Sequence, residues 1–128
     1  MVGTDSSAAA TSGPFNSGKP HPRFYGTYPR ILCKYVREEK VIRLEDAIRK
    51  MTSFPAQRFE ILDRGLLRPG MYADITVFSP ENICEKSTFK NPHAYPEGIP
   101  YVLVNGRVVV DESRFTGVLA GRTLRKRS

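Results

Sequence analysis

The dipeptide Asn105-Gly106 lies between two β-branched runs, Tyr101-Val102-Leu103-Val104 and Arg107-Val108-Val109-Val110, and constrains this chain more than any other feature. Both central residues of a two-residue type I′ turn need positive φ. Asn-Gly meets that need best, and the turn's twist matches that of the flanking strands. A hairpin over residues 100–111 is therefore expected. A further strand is expected over 72–78, where Ala73, Ile75 and Val77 alternate with Tyr72, Asp74, Thr76 and Phe78. The turn Arg68-Pro69-Gly70 feeds it and Ser79-Pro80 stops it.

Upstream the period changes from two to about 3.6. Ile31, Leu32, Tyr35 and Val36 recur at helical spacing. Thr27 is placed to cap that helix, Pro29 falls in its first turn, and the helix is expected to run to about Glu39. A second helix is predicted from Leu44 to about Met51, with Leu44, Ala47, Ile48 and Met51 on one face and Glu45-Asp46 near its positive end. Thr52 as a hydroxyl cap and Pro55 in the first turn predict a third, to about Arg58, joined to the second by a tight proline turn. Residues 6–20 and 81–98, rich in Ser, Gly, Pro and Asn, are expected to be loops.

At 128 residues, 40% of them hydrophobic, the chain is one domain by length, but it is too short for a complete α/β barrel of roughly 250 residues. It reads as a small self-contained domain or as the tail of a larger one. No apolar run approaches the roughly 20 residues of a membrane helix, and the N-terminus has neither a basic region nor an apolar core, so a soluble cytoplasmic protein is expected. Cys33 and Cys84 are far apart and in no C-x-x-C arrangement, which favours two free thiols over a disulfide. The net charge of +7 raises nucleic-acid binding. Part of that charge, however, alternates with acids in Arg37-Glu38-Glu39-Lys40 and Arg43-Leu44-Glu45-Asp46, as on a solvated face. Another part sits in a basic tail, Arg122-Thr123-Leu124-Arg125-Lys126-Arg127, expected to be frayed.

Strong metal ligands are few. His21 and His93 stand apart, no H-x-H or H-E-x-x-H occurs, and no phosphate loop, dinucleotide fingerprint or serine elbow is present. Two sets of residues remain for chemistry. Asp5 closes a short apolar run and opens a polar loop, as catalytic acids do at the ends of barrel strands; taken without context it is more often an ordinary capping or turn residue. Lys19-Pro20-His21-Pro22-Arg23-Phe24-Tyr25-Gly26-Thr27-Tyr28-Pro29-Arg30 is stiffened by proline and offers Arg23 for two parallel bonds to a carboxylate. Composition by itself favours a plain proline-rich loop with a surface arginine.

Several motifs in order alter that balance. Gly65-Leu66-Leu67-Arg68-Pro69-Gly70-Met71-Tyr72-Ala73-Asp74-Ile75-Thr76-Val77-Phe78 resembles the segment by which metal-dependent amidohydrolases pass from barrel to accessory β-domain. Gly3-Thr4-Asp5-Ser6, the run from Gly18 to Leu32, Ala47 to Arg58, Asn91 to Ile99 and Val104 to Val109 are similar to the C-terminal part of the N-acyl-D-amino-acid deacylases (D-aminoacylases) of that superfamily. The resemblance implies an α/β fold: residues 1–62 as the end of a TIM-like barrel with its closing helices, and 63–128 as strands of an accessory β-sandwich. It also implies hydrolysis of the linear amide of an N-acyl-D-amino acid by metal-activated water, with zinc as the metal of the complete enzyme. Asp5 would be the acid and base, Arg23 the clamp for the substrate carboxylate, and His21 its neighbour in substrate binding. The family's metal ligands lie on earlier barrel strands, so this chain is expected to bind no zinc alone, to be inactive alone, and to associate with a missing barrel or with itself. The chain departs from the family at Phe59-Glu60, where relatives have Leu-Gly, leaving the third helix without the glycine that commonly ends one. The alternative is a small basic binding or assembly module that uses the aromatic loop at 24–28 and the tail at 122–127 on nucleic acid or a partner protein.

Overall fold

The structure is a computed structural model and describes residues 1–125; Lys126 and Arg127 of the basic tail lie outside the described residues. The residues group into two compact units that interleave along the chain. One holds Met1, 45–78 and 99–125, and the other 2–44 and 79–98.

In the first unit, α2 (Leu44–Met51, its first residue in the other unit) and α3 (Ser53–Arg58) follow each other with one residue between them. The expected bounds of both are met. Their buried contacts come from small residues, Ala47, Ser53 and Ala56, which let backbones approach closely. Thr52 does not cap α3: its hydroxyl donates to the Ile48 carbonyl at 2.8 Å, back into α2. Glu60 stands where a glycine would end the helix and takes φ +56° itself. The amide of Ile61 then reaches the Ala56 carbonyl at 2.8 Å and that of Glu60 reaches Gln57 at 3.2 Å, a Schellman closure made without glycine.

The same unit carries a four-stranded antiparallel sheet in the order β1 (Ile75–Val77), β2 (Tyr101–Val104), β3 (Arg107–Asp111) and β4 (Arg114–Phe115). The hairpin is as expected, with φ +50° at Asn105 and +77° at Gly106. The strand expected over 72–78 pairs only over 75–77, against Tyr101 to Leu103. Before it, the Asp74 carboxylate is turned aside to accept from the Asn105 amide at 2.8 Å. A register shift at Val102/Leu103 bends β2 against β3, and β4 adds an edge that no period announced.

In the second unit the first long helix begins earlier than expected. α1 spans Arg23–Arg30 and passes directly into a π-helical segment, Ile31–Glu38. Pro22, already helical at φ −51°, is the start, and its carbonyl accepts from the Gly26 amide at 3.0 Å. Thr27 is thus interior, its hydroxyl donating to the Arg23 carbonyl at 2.9 Å, and Pro29 lies inside the helix, not in its first turn. Gly26 is buried because the 79–98 segment crosses it: a Cβ there would stand 3.1 Å from that of Glu85. Arg37, expected on a solvated face, donates to the Pro80 and Ile83 carbonyls at 3.0 and 2.8 Å and so holds that segment to the helix.

The expected free thiols are corrected as well. Cys33 of the π-helical segment and Cys84 form a disulfide across 51 residues of sequence, with Cα atoms 5.0 Å apart. Spacing alone argued against it because neither cysteine has a local partner; helix and returning segment bring the two together. Arg122 of the expected frayed tail instead stacks over Tyr72, 4.2 Å from the ring centroid. No helix among the described residues is long and apolar enough to cross a membrane.

Candidate active site

Three residues singled out in the sequence meet in the second unit. Asp5 takes a left-handed conformation, φ +47°, at the end of the Met1–Thr4 run, which turns its carboxylate aside from the line of the chain. Arg23, the first residue of α1, reaches it twice: Nη2 donates to Asp5 Oδ2 at 2.9 Å and Nε to the Asp5 carbonyl at 3.0 Å. His21 sits beside them, its Nδ1 accepting from the Arg23 backbone N–H at 3.1 Å; the neutral ring therefore carries its proton on Nε2. Phe89 meets the His21 ring edge to face, with centroids 4.9 Å apart. The Asp5 side chain is 91% exposed and that of Arg23 42% exposed. The pair is therefore open to exchange: an anion from solution can compete for Arg23, because water already solvates both partners.

The platform beneath this pair was not visible in the sequence. Tyr25, two residues after Arg23, donates its hydroxyl to the Ala10 carbonyl at 2.8 Å and lies 2.9 Å from His93 Nδ1, while His93 Nε2 meets the Gly18 carbonyl at 3.0 Å. Burial, together with the like charge that the neighbouring Tyr95 phenol takes on ionising, raises the Tyr25 phenol above its usual value, so it stays a neutral donor. These bonds gather the loop that follows Asp5. Ser87 donates to the Pro22 carbonyl at 2.7 Å and Arg30 pairs with Glu85 at 2.7 Å, fixing both ends of α1 to the 79–98 segment. The N-P-H sequence at 91–93 was the available signal for His93, but only the fold brings it to Tyr25.

Among the described residues, the one group of three metal-ligand side chains is Cys33, Cys84 and Glu85, and its cysteines are joined to each other. His21 and His93 are engaged as above and Asp5 is paired with Arg23. The residues present thus do not fit a zinc centre on their own.

Comparisons with known proteins agree on one family. The model of the amidohydrolase family (Amidohydro_3) matches residues 5–110. A D-aminoacylase from Alcaligenes xylosoxydans xylosoxydans is 41% identical over 124 residues, 97% of this chain and 24% of that protein. A solved D-aminoacylase, studied for one-metal activation and second-metal attenuation of its binuclear metal centre, superposes with a TM-score of 0.79 at 43% identity, over 81% of this chain and 22% of that one. An N-acyl-D-glutamate deacylase from Bordetella bronchiseptica, complexed with zinc and a phosphonate mimic of the tetrahedral intermediate, gives 0.70 at 43% identity over 71% and 19%. The chain thus spans about a quarter of the length of the relatives it matches. The chain carries helices and an antiparallel sheet consistent with part of an α/β hydrolase, the family model runs from Asp5 through the hairpin, and the chain belongs to the amidohydrolase family.

Proposed function

We propose that this chain is the C-terminal part of a deacylase acting on the linear amide of N-acyl-D-amino acids, with residues 1–62 ending its barrel and 63–128 contributing strands of its β-domain. What supports this reading above all is the exposed Asp5–Arg23 pair, in which a carboxylate suited to proton transfer is held by a guanidinium suited to a substrate carboxylate. Substrate binding would exchange one anion for another on Arg23. The α-carboxylate of the amino acid takes the planar fork with two parallel N–H bonds. Asp5, released, is free to accept a proton from the attacking water and return it to the leaving nitrogen. His21, donating from Nε2, would add a third bond to the same substrate group. Zinc in the complete enzyme would supply Lewis-acid polarisation of water and amide. A cytoplasmic setting belongs to the same proposal.

The basic-module alternative finds less support, because Arg30, Arg37, Arg64 and Arg122 are engaged in contacts within their own units instead of lining a charged groove. The test is reconstitution. The chain alone is expected to show no zinc-dependent turnover of N-acetyl-D-amino acids. Joined to the barrel portion of the Alcaligenes D-aminoacylase it is expected to turn them over, with Asp5→Asn lowering kcat by more than about 1,000-fold and Arg23→Met acting mainly on KM. Turnover by the isolated chain that Asp5→Asn removes, or a fused enzyme indifferent to Asp5→Asn, overturns the proposal.

A further inference from the structure

The disulfide has an asymmetric setting. Cys33 is 2% exposed, whereas Cys84 is half-buried. Arg37 Nη2 stands 2.9 Å from Cys33 Sγ. Glu85 places a carboxylate oxygen 3.5 Å from Cys84 Sγ. Glu38 also approaches Cys33, at 3.4 Å, but its side chain is 58% exposed and itself faces Arg37 at 4.0 Å, so the nearer and more buried guanidinium dominates at that sulfur. A positive charge stabilises a thiolate and a negative one opposes it. The two sulfurs therefore differ as leaving groups, and the better one belongs to the more buried cysteine.

We propose that Cys33–Cys84 is a reversible thiol–disulfide exchange site, opened by a dithiol reductant that attacks Cys84 and expels Cys33 as a thiolate against Arg37. In the first step the reductant's thiolate forms a bond to Cys84 Sγ as the bond between the two cysteine sulfurs breaks; the electron pair leaves on Cys33. In the second, the reductant's other thiolate attacks its own sulfur in the mixed disulfide, releasing Cys84 as a thiolate and the oxidised, cyclic reductant. Two electrons pass to the protein pair, and oxidation by a disulfide of low molecular weight reverses both steps. In a cytoplasmic setting, which is part of the proposed function, disulfides are usually transient in this way.

Opening the bond has a defined structural effect. It removes the covalent tie between the helical run that begins at Arg23 and the 79–98 segment, leaving the bonds made by Arg37, Ser87 and Arg30. A cation is the competing occupant of the site, since both cysteine sulfurs and a Glu85 oxygen lie within 4.8 Å of one another. It is disfavoured because Arg37 already places positive charge there and Glu85 is paired with Arg30 at 2.7 Å.

The experiment equilibrates the full 128-residue chain in glutathione buffers of graded redox ratio, quenches with an alkylating reagent, and counts added groups by mass spectrometry. A single transition between no and two added groups is expected, with Tm falling by more than about 5 °C on reduction and amide exchange rising over 23–38 and 79–98. The Arg37→Gln chain is expected to be reduced by dithiothreitol at least about threefold more slowly, and the Glu85→Gln chain faster. Should Arg37→Gln fail to fold by circular dichroism, the Glu85→Gln rate and the exchange data carry the test. Thiols that stay free at every ratio overturn the proposal, as does a disulfide that opens only in denaturant, or one zinc retained per reduced chain after gel filtration in zinc.

Discussion

Two Asp–Arg pairs in this molecule share one chemistry and differ in surroundings. Asp5 and Arg23 meet in the open, with the carboxylate side chain 91% exposed. Asp74 and Arg64 meet where Arg64 is 7% exposed, with Tyr72 stacked 4.3 Å from the guanidinium and Asn105 Oδ1 accepting from Nη2 at 2.5 Å. Burial pushes the Asp74 carboxyl upward, but the Asn105 amide, the Arg64 bond and the charges of Arg64 and Arg122 overrule it and hold the group below its ordinary value. The inner pair thus fixes the hairpin turn to the chain ahead of β1, and replacing either partner strands a charge. The outer pair can be undone by a dissolved anion at little cost to the fold. An ion pair becomes available to a ligand only where water already supports both of its halves.

Substituting the arginines tests that contrast most severely. Arg64→Met is expected to lower stability by about 3 kcal/mol, since it leaves Asp74 and Asn105 without their common donor; urea denaturation would show it, and a loss below about 1 kcal/mol would mean the inner pair is no more structural than the outer. Acid comes next. The folded Asp74 carboxyl titrates below its unfolded value, so its contribution is complete above the unfolded value and is lost as pH falls through the folded one. Unfolding followed below the usual carboxylate range should therefore steepen in the wild-type chain and flatten in Asp74→Asn. Tyr72→Leu removes the ring shared by Arg64 and Arg122 and is expected to cost about 1 kcal/mol. Smallest of all, Arg23→Met should change stability by less than about 0.5 kcal/mol, while isothermal titration with an N-acetyl-D-amino acid should register its loss in the fused enzyme. A stability cost at Arg23 rivalling that at Arg64 would abolish the distinction.

How much of this was legible depended on how far apart in sequence the causes lay. The Asn105-Gly106 hairpin and the bounds of α2 and α3 are written in adjacent residues and were read directly. The start of α1 was misplaced because Thr27 satisfies every local rule for a cap, whereas Pro22, which begins the helix, has no capping side chain to announce it. Asp5, Arg23 and His21 were found through the order of motifs, but their union was not, since it depends on a left-handed Asp5 and on α1 starting at Arg23. The disulfide, the Tyr25–His93 contact and the Arg64 clamp join residues 51, 68 and 10 positions apart, and no period or spacing encodes such meetings.

Gly26 turns into a measuring device once the cysteine pair is considered with it. A methyl group added there favours the helix by roughly 1 kcal/mol, yet it stands 3.1 Å from the Glu85 side chain and requires the neighbouring segment to yield by a few tenths of an ångström. Whether that segment can yield depends on Cys84, one residue away, being tethered to Cys33. Gly26→Ala should then be destabilising in the oxidised chain and neutral or better in the reduced one. The sign change would be a thermodynamic cycle linking backbone clearance at one residue to the oxidation state of two others.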